Sequence, residues 1–312
     1  MNPDDKIILP GGAGLVGQNL VAHLKRNGFR NLVVLDKHRS NLEILRHLHP
    51  DVVAEYADLA REGPWKRHFQ GATAVVMLQA QIGGVTLEPF IRNNIDSTSQ
   101  ILDVIARYKV PYTVHVSSSV VASIADDHYS HTKKEQEKLV LGSGIDCVVL
   151  RPTLMFGWFD RKHFGWLSRF MQKVPIFPIP GNGRYMRQPL FVGDFCKIII
   201  SCLENRTQGI FNISGLERMD YIDLIRLIKK SVNSKCLVLK IPYHLFYALL
   251  RTWALFDSDP PFTVEQLKAL TAGDEFEMID WPTLFNVKTT SLLDALHETF
   301  NDPIYSKVAL EF

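Results

Sequence analysis

The sequence lacks the features that mark several classes of protein. Its 312 residues contain four cysteines without a Cys-x-x-Cys pair, so a disulfide framework is not expected and a reducing, cytoplasmic location is favoured. No run of about 18 apolar residues occurs, so no membrane-spanning helix is predicted. The 35 basic and 33 acidic residues nearly balance, and no basic block stands out. Nucleic acid is therefore not an expected partner.

The composition is that of an ordinary globular protein, with 46% hydrophobic and 22% charged residues. This length can form one large α/β domain or two unequal ones. The polar start, MNPDDK, leads directly into an apolar run, which predicts neither a signal peptide nor a transit peptide. His pairs occur without a completing set of Cys or carboxylate residues, so no metal site is predicted.

Short apolar runs alternate with amphipathic segments over the first 150 residues. Apolar strands separated by helices indicate a parallel sheet covered on both faces, which predicts a Rossmann-type, doubly wound α/β fold. The predicted strands are Ile7–Leu9, Leu32–Leu35, Val52–Ala54, Ala74–Leu78, Tyr112–Val116 and Cys147–Leu150. The predicted helices are Gly14–Asn27, Asn41–Leu48, Trp65–Phe69, Pro89–Tyr108 and Tyr129–Leu141.

The pattern changes after residue 151, where proline and glycine become frequent up to residue 190. Such segments predict loops and turns, often binding loops. A helix at Val192–Glu204, a strand at Ile210–Ile213 and a helix at Tyr221–Val232 follow, and the remainder is predicted to be mostly helical. We therefore expect a dinucleotide-binding domain at 1–150, completed by about 191–215. A smaller substrate lobe is expected from 151–190 and 216–312.

The first strand leads into a glycine-rich turn that predicts a dinucleotide site. The stretch from Gly12 to Gly17 reads GAGLVG, a literal GxGxxG that follows a strand and opens a helix. Glycines let the backbone turn tightly and approach a ligand, and the new helix offers N–H groups to a diphosphate. Asp36 ends the second strand, nineteen residues after Gly17, where a carboxylate binds a ribose 2′-hydroxyl.

A second group of residues carries proton-transfer chemistry. Three serines, beginning at Ser117, end the fifth predicted strand, and Tyr129 and Lys133 lie four apart at the start of the next helix. A lysine ammonium beside a phenol lowers the phenol pKa, so that the phenol can exchange a proton near neutral pH. A serine hydroxyl can hold the same substrate oxygen. These residues would supply the proton half of a hydride transfer.

The motifs resemble those of the extended short-chain dehydrogenases/reductases, the family of NAD-dependent epimerases and dehydratases. GGAGLVG resembles the family's GGAGFIG, VVMLQAQIGG is similar to VIHLAAQVGG, and HVSS matches the serine motif of strand five. LRPTLMFG resembles LRPxxxYG, and Arg187 precedes QPLFVGD as an arginine precedes the family's HVxD motif. The similarity extends over about residues 6–235 in the family's order.

The resemblance implies roles for individual residues. The implied catalytic residues are Ser118, Tyr129 and Lys133. The implied substrate contacts are Ser118, Ser119 and Arg187, with Arg187 on the diphosphate of a nucleotide-sugar. The implied cofactor contacts are Gly11, Gly14, Leu15, Val16, Gly17, Asp36, Asp58, Leu59, Leu78, Gln79, Ala80, Asn94, Val116, Tyr129, Lys133, Arg151, Pro152 and Thr153.

Several alternatives stay open in the sequence. Asp36 favours NAD, whereas Lys37 and Arg39 just beyond it could accept the extra phosphate of NADP. A one-residue shift of the serine motif would make Ser119 catalytic in place of Ser118. The substrate is predicted to be a small molecule, a nucleotide-sugar, and a homodimer is possible. The rival functions are a ketoreductase for an apolar alcohol and a non-catalytic dinucleotide-binding accessory protein.

The segment Tyr243–Phe256 has one charged residue, Arg251, in fourteen. It is too short to span a bilayer. We expect it to pack in the core or to form an oligomer surface. The alternatives are a wall of the substrate pocket and a contact with a membrane surface.

Overall fold

A computed structural model describes residues 1–122, 127–256, 264–272 and 277–311. Seven parallel strands form the central sheet, in the order β11-β6-β5-β4-β1-β2-β3. The strands are β1 Ile7–Pro10, β2 Leu32–Asp36, β3 Val53–Tyr56, β4 Ala74–Met77, β5 Thr113–Val116, β6 Cys147–Pro152, β7 Met155–Phe156, β8 Ile176–Pro180, β9 Met186–Arg187, β10 Leu190–Phe191, β11 Gly209–Ile213, β12 Met219–Asp220 and β13 Leu237–Ile241.

Helices cover both faces of this sheet. They are α1 Leu15–Arg26, α2 Arg39–Leu48, α3 Glu88–Phe90, α4 Ser97–Tyr108, α5 His128–Gly142, α6 Phe164–Lys173, α7 Val192–Asn205, α8 Tyr221–Ser231, α9 Tyr243–Trp253, α10 Val264–Ala272, α11 Trp281–Leu284 and α12 Leu292–Asn301. Short 3-10 helices occupy Pro64–Phe69, Ser119–Ala122 and Tyr305–Lys307, and a π-helical turn, Ile91–Asp96, joins α3 to α4.

Alternate residues of each strand serve the two faces of the sheet. Ile7 and Leu9 pack with the core that contains Leu20 of α1, whereas Ile8 packs with the opposite core, which contains Ile101 of α4. Both kinds of position are fully buried, which explains the continuous apolar runs in the sequence. The predicted doubly wound parallel sheet is confirmed.

The strand order reverses direction at β1, which lies between β4 and β2. In an open parallel sheet, the connections on the two sides of such a point diverge and leave a crevice at the carboxyl ends of the strands. The turn after β1 and the segments after β4, β5 and β6 all reach this edge. The residues predicted to act on the cofactor and substrate are therefore brought to one edge.

The described residues after 232 are mostly helical, as predicted, with one exception, strand β13. Strand β13 pairs in parallel with β8, with Leu237 opposite Ile176 and Leu239 opposite Pro178. No strand was predicted at β8 because it contains two prolines. A proline is nevertheless tolerated in a strand where no neighbouring strand needs its missing N–H. A parallel pairing between segments about 60 residues apart has no local sequence signal.

The exposure of helix α9 contradicts the prediction that residues 243–256 pack in the core. Every residue of α9 is described, and none of them is buried. Within the described residues, no helix is both long enough and apolar enough to cross a membrane.

Candidate active site

Three glycines of the β1–α1 turn, Gly11, Gly14 and Gly17, have different roles. Gly11 has φ +76°, and a Cβ there would lie 2.4 Å from the backbone nitrogen of Gln79. A Cβ on Gly17 would lie 2.2 Å from the carbonyl oxygen of Gly12. On Gly14, by contrast, it would meet only the Gly11 oxygen at 3.6 Å. The first and last glycines therefore permit close packing, while Gly14 leaves open space above the helix.

That open space faces the amino end of α1. Gly14 caps the helix without a side-chain hydrogen bond, and the Gln18 N–H closes the first turn on the Gly14 carbonyl at 3.0 Å. The N–H groups of Leu15, Val16 and Gly17 precede this bond and point toward the space. A diphosphate fits this arrangement of N–H donors and helix dipole.

Asp36 closes the other side of the glycine turn. Its Oδ2 accepts a hydrogen bond from the Ala13 N–H at 3.0 Å, and its Oδ1 accepts one from the His38 N–H at 3.0 Å. A carboxylate has about four acceptor sites. The two that remain can accept hydroxyl groups of a ribose, as the sequence predicts.

Asp58 and Leu59 follow β3 at the same edge. Asp58 accepts hydrogen bonds from Arg92 and from the Ala60 N–H, while the Leu59 side chain is buried in the core beneath α4. Their predicted contacts with the cofactor stay predictions.

The two cations beyond Asp36, Lys37 and Arg39, are both exposed. The Arg39 guanidinium lies 3.9 Å from the centroid of the Tyr56 ring. Partial burial lowers the pKa of Lys37, and the nearby Asp58 opposes that shift. The preference for NAD therefore rests on the Asp36 carboxylate at the ribose position.

Two buried polar atoms near the crevice lack partners within the described part of the chain. They are Oε1 of Gln79 and Oγ1 of Thr153. Gln79 follows β4, and its Nε2 donates to the Thr98 hydroxyl at 3.1 Å; Thr153 follows β6. An unsatisfied buried polar atom costs about 1–3 kcal/mol. Both positions therefore fit residues that complete their hydrogen bonding with a ligand.

Asn94 lies in the π-helical turn and is fully buried. Its Oδ1 accepts from the Gln81 N–H at 2.6 Å, and its Nδ2 donates to the Thr132 hydroxyl at 3.0 Å. The side chain thus joins the segment after β4 to helix α5. Its predicted direct contact with the cofactor stays a prediction.

The structure brings Ser118 and Tyr129 together. The Ser118 hydroxyl lies close enough to the Tyr129 phenol to act on its pKa, whereas Ser119 begins the 3-10 helix Ser119–Ala122. Burial raises the pKa of Tyr129, with Asp127 adding to the increase and the nearby Ser118 hydroxyl opposing it. The lowered pKa predicted from the sequence is therefore wrong for the ligand-free chain. The desolvation of the phenol outweighs the effect of the serine hydroxyl.

Lys133 is 1% exposed and lies one helical turn beyond Tyr129. Its ammonium donates to the Val116 carbonyl at 3.1 Å and to Oε1 of Gln136 at 2.5 Å. Gln136 in turn donates to the Thr98 hydroxyl at 2.9 Å. Burial lowers the pKa of Lys133 to about 7, although the Glu137 carboxylate raises it. The lysine is thus held by α5 and the end of β5.

The lowered pKa of Lys133 predicts a pH-dependent stability. Between pH 7 and the ordinary lysine pKa, 10.5, the folded chain binds fewer protons at this residue than the unfolded chain. The free energy of unfolding should therefore rise with pH in this range, by up to about 1.4 kcal/mol per pH unit. Urea unfolding of the ligand-free wild type and of Lys133→Met at several pH values would measure the slope. Parallel curves for the two proteins would contradict the prediction.

Glu137 is the centre of a buried ionic network. Its carboxylate accepts from the Ser117 hydroxyl at 2.6 Å, from Nε of Arg151 at 3.1 Å and from Nη2 of Arg151. The network ties the ends of β5 and β6 to helix α5, on which Tyr129 and Lys133 lie. The Arg151 side chain, predicted to contact the cofactor, here binds this carboxylate.

Removal of the Glu137 carboxylate should destabilise the fold. Glu137→Ala would leave Arg151 and Ser117 without their shared acceptor, at a cost of about 2–3 kcal/mol. This estimate is below the range for fully buried pairs because the Arg151 side chain is 20% exposed. Glu135→Ala is the matched control, since Glu135 pairs with Lys138 on the exposed face of the same helix. Equal losses of unfolding free energy in the two variants would refute the role of the network.

Arg187 ends β9 and is buried in this structure. Its guanidinium donates to the Leu270 carbonyl of α10 and lies near the Tyr221 phenol, whose pKa it lowers against the larger, opposite effect of burial. Helix α10 therefore lies against the arginine that is predicted to bind a diphosphate. That role stays a prediction.

Sequence reasoning missed several residues of the site, namely Thr98, Thr132, Gln136 and Glu137. One signal was available: Lys133 and Glu137 lie four apart on α5, and both are charged residues on its buried face. Within the described residues, no group of three or more His, Cys, Asp or Glu side chains could hold a metal ion.

Comparison with known proteins gives a consistent result. Residues 7–214 match a model of the NAD dependent epimerase/dehydratase family. A dTDP-glucose 4,6-dehydratase from Actinoplanes sp. is 26% identical, over 73% of this chain and 82% of its own length. NADH dehydrogenase [ubiquinone] 1 alpha subcomplex subunit 9, mitochondrial, from Dictyostelium discoideum is 25% identical, over 70% of this chain and 61% of its own length.

Two solved structures show the same fold. UDP-glucuronic acid 4-epimerase from Bacillus cereus, in complex with NAD, superposes with a TM-score of 0.70 at 21% identity and covers 95% of this chain and 97% of its own. UDP-glucose 4-epimerase from Thermotoga maritima, with UDP-glucose, gives 0.73 at 17% identity and covers 94% and 97%. At these identities the likeness shows the fold.

Proposed function

The chain belongs to the NAD dependent epimerase/dehydratase family and is an NAD-dependent enzyme; from this premise we propose that its substrate is a nucleotide-linked sugar. The proposed reaction occurs at a ring carbon that bears a hydroxyl or keto oxygen. The observation that carries the proposal is the closeness of the Ser118 and Tyr129 side chains at the carboxyl end of β5. This pair lies at the same sheet edge as the open glycine turn.

Each residue has a defined task in this proposal. Ser118 holds the substrate oxygen. Tyr129 accepts the proton of that oxygen as the phenolate when the sugar is oxidised and returns it as the phenol when the sugar is reduced. Lys133 keeps a positive charge at the site when it is protonated and, with Gln136, fixes helix α5 against the end of β5. When NAD is bound, its nicotinamide supplies the hydride acceptor and donor. The turn after β1 and Asp36 hold the diphosphate and a ribose.

The relatives and the fold support a sugar nucleotide as the substrate. The Actinoplanes relative is a dTDP-glucose dehydratase, and the two structural neighbours are UDP-sugar epimerases. UDP-linked and dTDP-linked hexoses are therefore the first compounds to test. Product analysis by NMR would separate an epimer from a dehydrated or reduced sugar. A reductase also releases oxidised cofactor, whereas an epimerase returns the hydride and keeps its cofactor unchanged.

Arg187 tests the diphosphate part of this proposal. Arg187→Ala should raise the KM for a nucleotide-sugar by about tenfold or more, because a charge-assisted contact contributes about 1.5–3 kcal/mol. Steady-state kinetics would measure the change, with Arg226→Ala as the control, since Arg226 pairs with Asp223 on the surface of α8. The melting temperatures of both variants should also be measured. A raised KM with an unchanged melting temperature indicates lost substrate binding, whereas a lowered melting temperature indicates the loss of the Arg187–Leu270 contact.

One observation favours a second candidate, a ketoreductase for an apolar alcohol. Arg187 is buried against α10, and the neighbouring helix α9 has an exposed apolar face. This candidate predicts that Arg187→Ala leaves KM unchanged and that apolar ketones consume NADH. Failure of every nucleotide-sugar to bind, together with unchanged kinetics of Arg187→Ala, would refute the sugar-nucleotide proposal.

A further inference from the structure

Helix α9 presents an apolar face that the described chain leaves exposed. Leu245 and Leu249 are each 53% exposed, and Phe256, just after the helix, is 86% exposed. With Trp253, which is also 53% exposed, these residues recur every three or four positions and therefore lie along one side of the helix. Contiguous exposed apolar surface of this kind marks an interaction site.

The strand before α9 adds to this surface. Leu237 and Leu239 of β13 are exposed, as is Ile176, which pairs with Leu237 on β8. Pro242 alone separates β13 from α9. The apolar surface therefore continues from the edge of the two-stranded sheet to the helix.

The segment that carries this surface has charge of one sign. Residues 227–256 contain five basic residues and no acidic one, whereas Arg226 just before them is paired with Asp223, and the next acidic residues in the sequence are Asp257 and Asp259. The five basic residues are Lys229, Lys230, Lys235, Lys240 and Arg251. The whole chain is nearly neutral, so the excess is local. A surface that combines apolar side chains with basic ones complements an anionic lipid bilayer.

The aromatic residues of α9 fit the same partner. Trp253, Tyr243 and Tyr247 have amphipathic rings, which favour the boundary between lipid headgroups and acyl chains. At eleven residues the helix is far shorter than the roughly 20 residues needed to span a bilayer, so it would lie in the plane of the surface. A second copy of the chain fits less well. A two-fold contact would place this basic region against itself.

We propose that α9 docks this protein onto a membrane surface that contains anionic lipids. Leu245, Leu249, Trp253 and Phe256 enter the headgroup boundary, while Lys240 and Arg251 contact lipid phosphates. The inference is independent of the proposed reaction, because it rests on the surface of the chain and not on its active site.

Sedimentation with lipid vesicles tests this proposal on the full-length chain. Wild type should bind vesicles that contain phosphatidylglycerol, should bind pure phosphatidylcholine vesicles more weakly, and should dissociate as salt increases. The double variant Leu245→Asp/Leu249→Asp should lower the partition coefficient by about tenfold or more. Lys240→Glu/Arg251→Glu should weaken binding to the anionic vesicles alone.

The matched control is Val85→Asp/Ile304→Asp, which changes two exposed apolar residues outside the α9 surface. It should bind vesicles like wild type, and NAD binding by every variant shows that the fold is intact. The proposal is overturned if wild type does not bind anionic vesicles, or if the control loses as much binding as the α9 variant. It is also overturned if wild type is a dimer in solution that the α9 substitutions dissociate, since a second copy would then cover this face.

Discussion

Replacing Tyr129 with phenylalanine is expected to lower kcat for a nucleotide-sugar by about 10²–10⁴-fold, the usual contribution of a general acid–base group. Phenylalanine keeps the ring at the start of α5 and removes the hydroxyl that lies near Ser118. The proton of the substrate oxygen would then have no acceptor at this position. Turnover should be measured with the substrate identified in the nucleotide-sugar screen, and NAD affinity should be titrated separately.

Two controls make this result specific. Tyr108→Phe removes a hydroxyl from a partly buried tyrosine at the end of α4, outside the crevice, and should leave kcat unchanged. Ser118→Ala should lower kcat more than Ser119→Ala, because Ser118 is the serine that lies near the phenol. A Tyr129→Phe enzyme with normal kcat would remove Tyr129 from the mechanism. A larger loss in Ser119→Ala would exchange the roles of the two serines.

Replacing Gly17 with alanine is expected to abolish measurable NAD binding and to destabilise the fold. The new Cβ would lie 2.2 Å from the Gly12 carbonyl oxygen, which is a backbone atom and cannot rotate away. Overpacking of this kind costs about 1–3 kcal/mol, and relief of the clash would separate α1 from the turn. The N–H groups at the amino end of the helix would then no longer point at the diphosphate.

Gly14→Ala is the informative partner of this variant. Its Cβ would meet only the Gly11 oxygen, at 3.6 Å, and the residue has φ −78°. The ligand-free fold should therefore lose no more than about 1 kcal/mol, the cost of alanine at a helix N-cap. NAD binding should nevertheless weaken, because the methyl group occupies the open space above α1. Urea unfolding without cofactor and titration with NAD separate the two effects. Normal NAD affinity in Gly14→Ala would place the diphosphate elsewhere.

The features that the sequence predicted well are those with a local cause. Buried strands require continuous apolar runs, and the tight turn after β1 requires glycine at the position with φ +76°. The acidic end of β2 is likewise a local signal, and the structure places Asp36 directly against the turn. The order of strands, helices and motifs could therefore be predicted from local signals in the sequence.

The features that the sequence did not predict depend on residues far apart in the chain. The pKa of Tyr129 is raised because its surroundings desolvate it, and no spacing reveals that burial. Lys133 donates to the Val116 carbonyl, a contact that exists only when β5 and α5 pack together. The pairing of β13 with β8 is nonlocal in the same way.

The π-helical turn at Ile91–Asp96 has a consequence for how this part of the sequence can vary. A π turn contains about one residue more than an α turn, so it shifts the phase between the side chains before and after it. Ile101 and Ile105 must face the sheet, whereas Asn94 must reach Gln81 and Thr132. Deletion of one residue in this turn would give a regular α-helix that meets only one of these requirements. Variation in length is therefore more restricted here than variation in residue type.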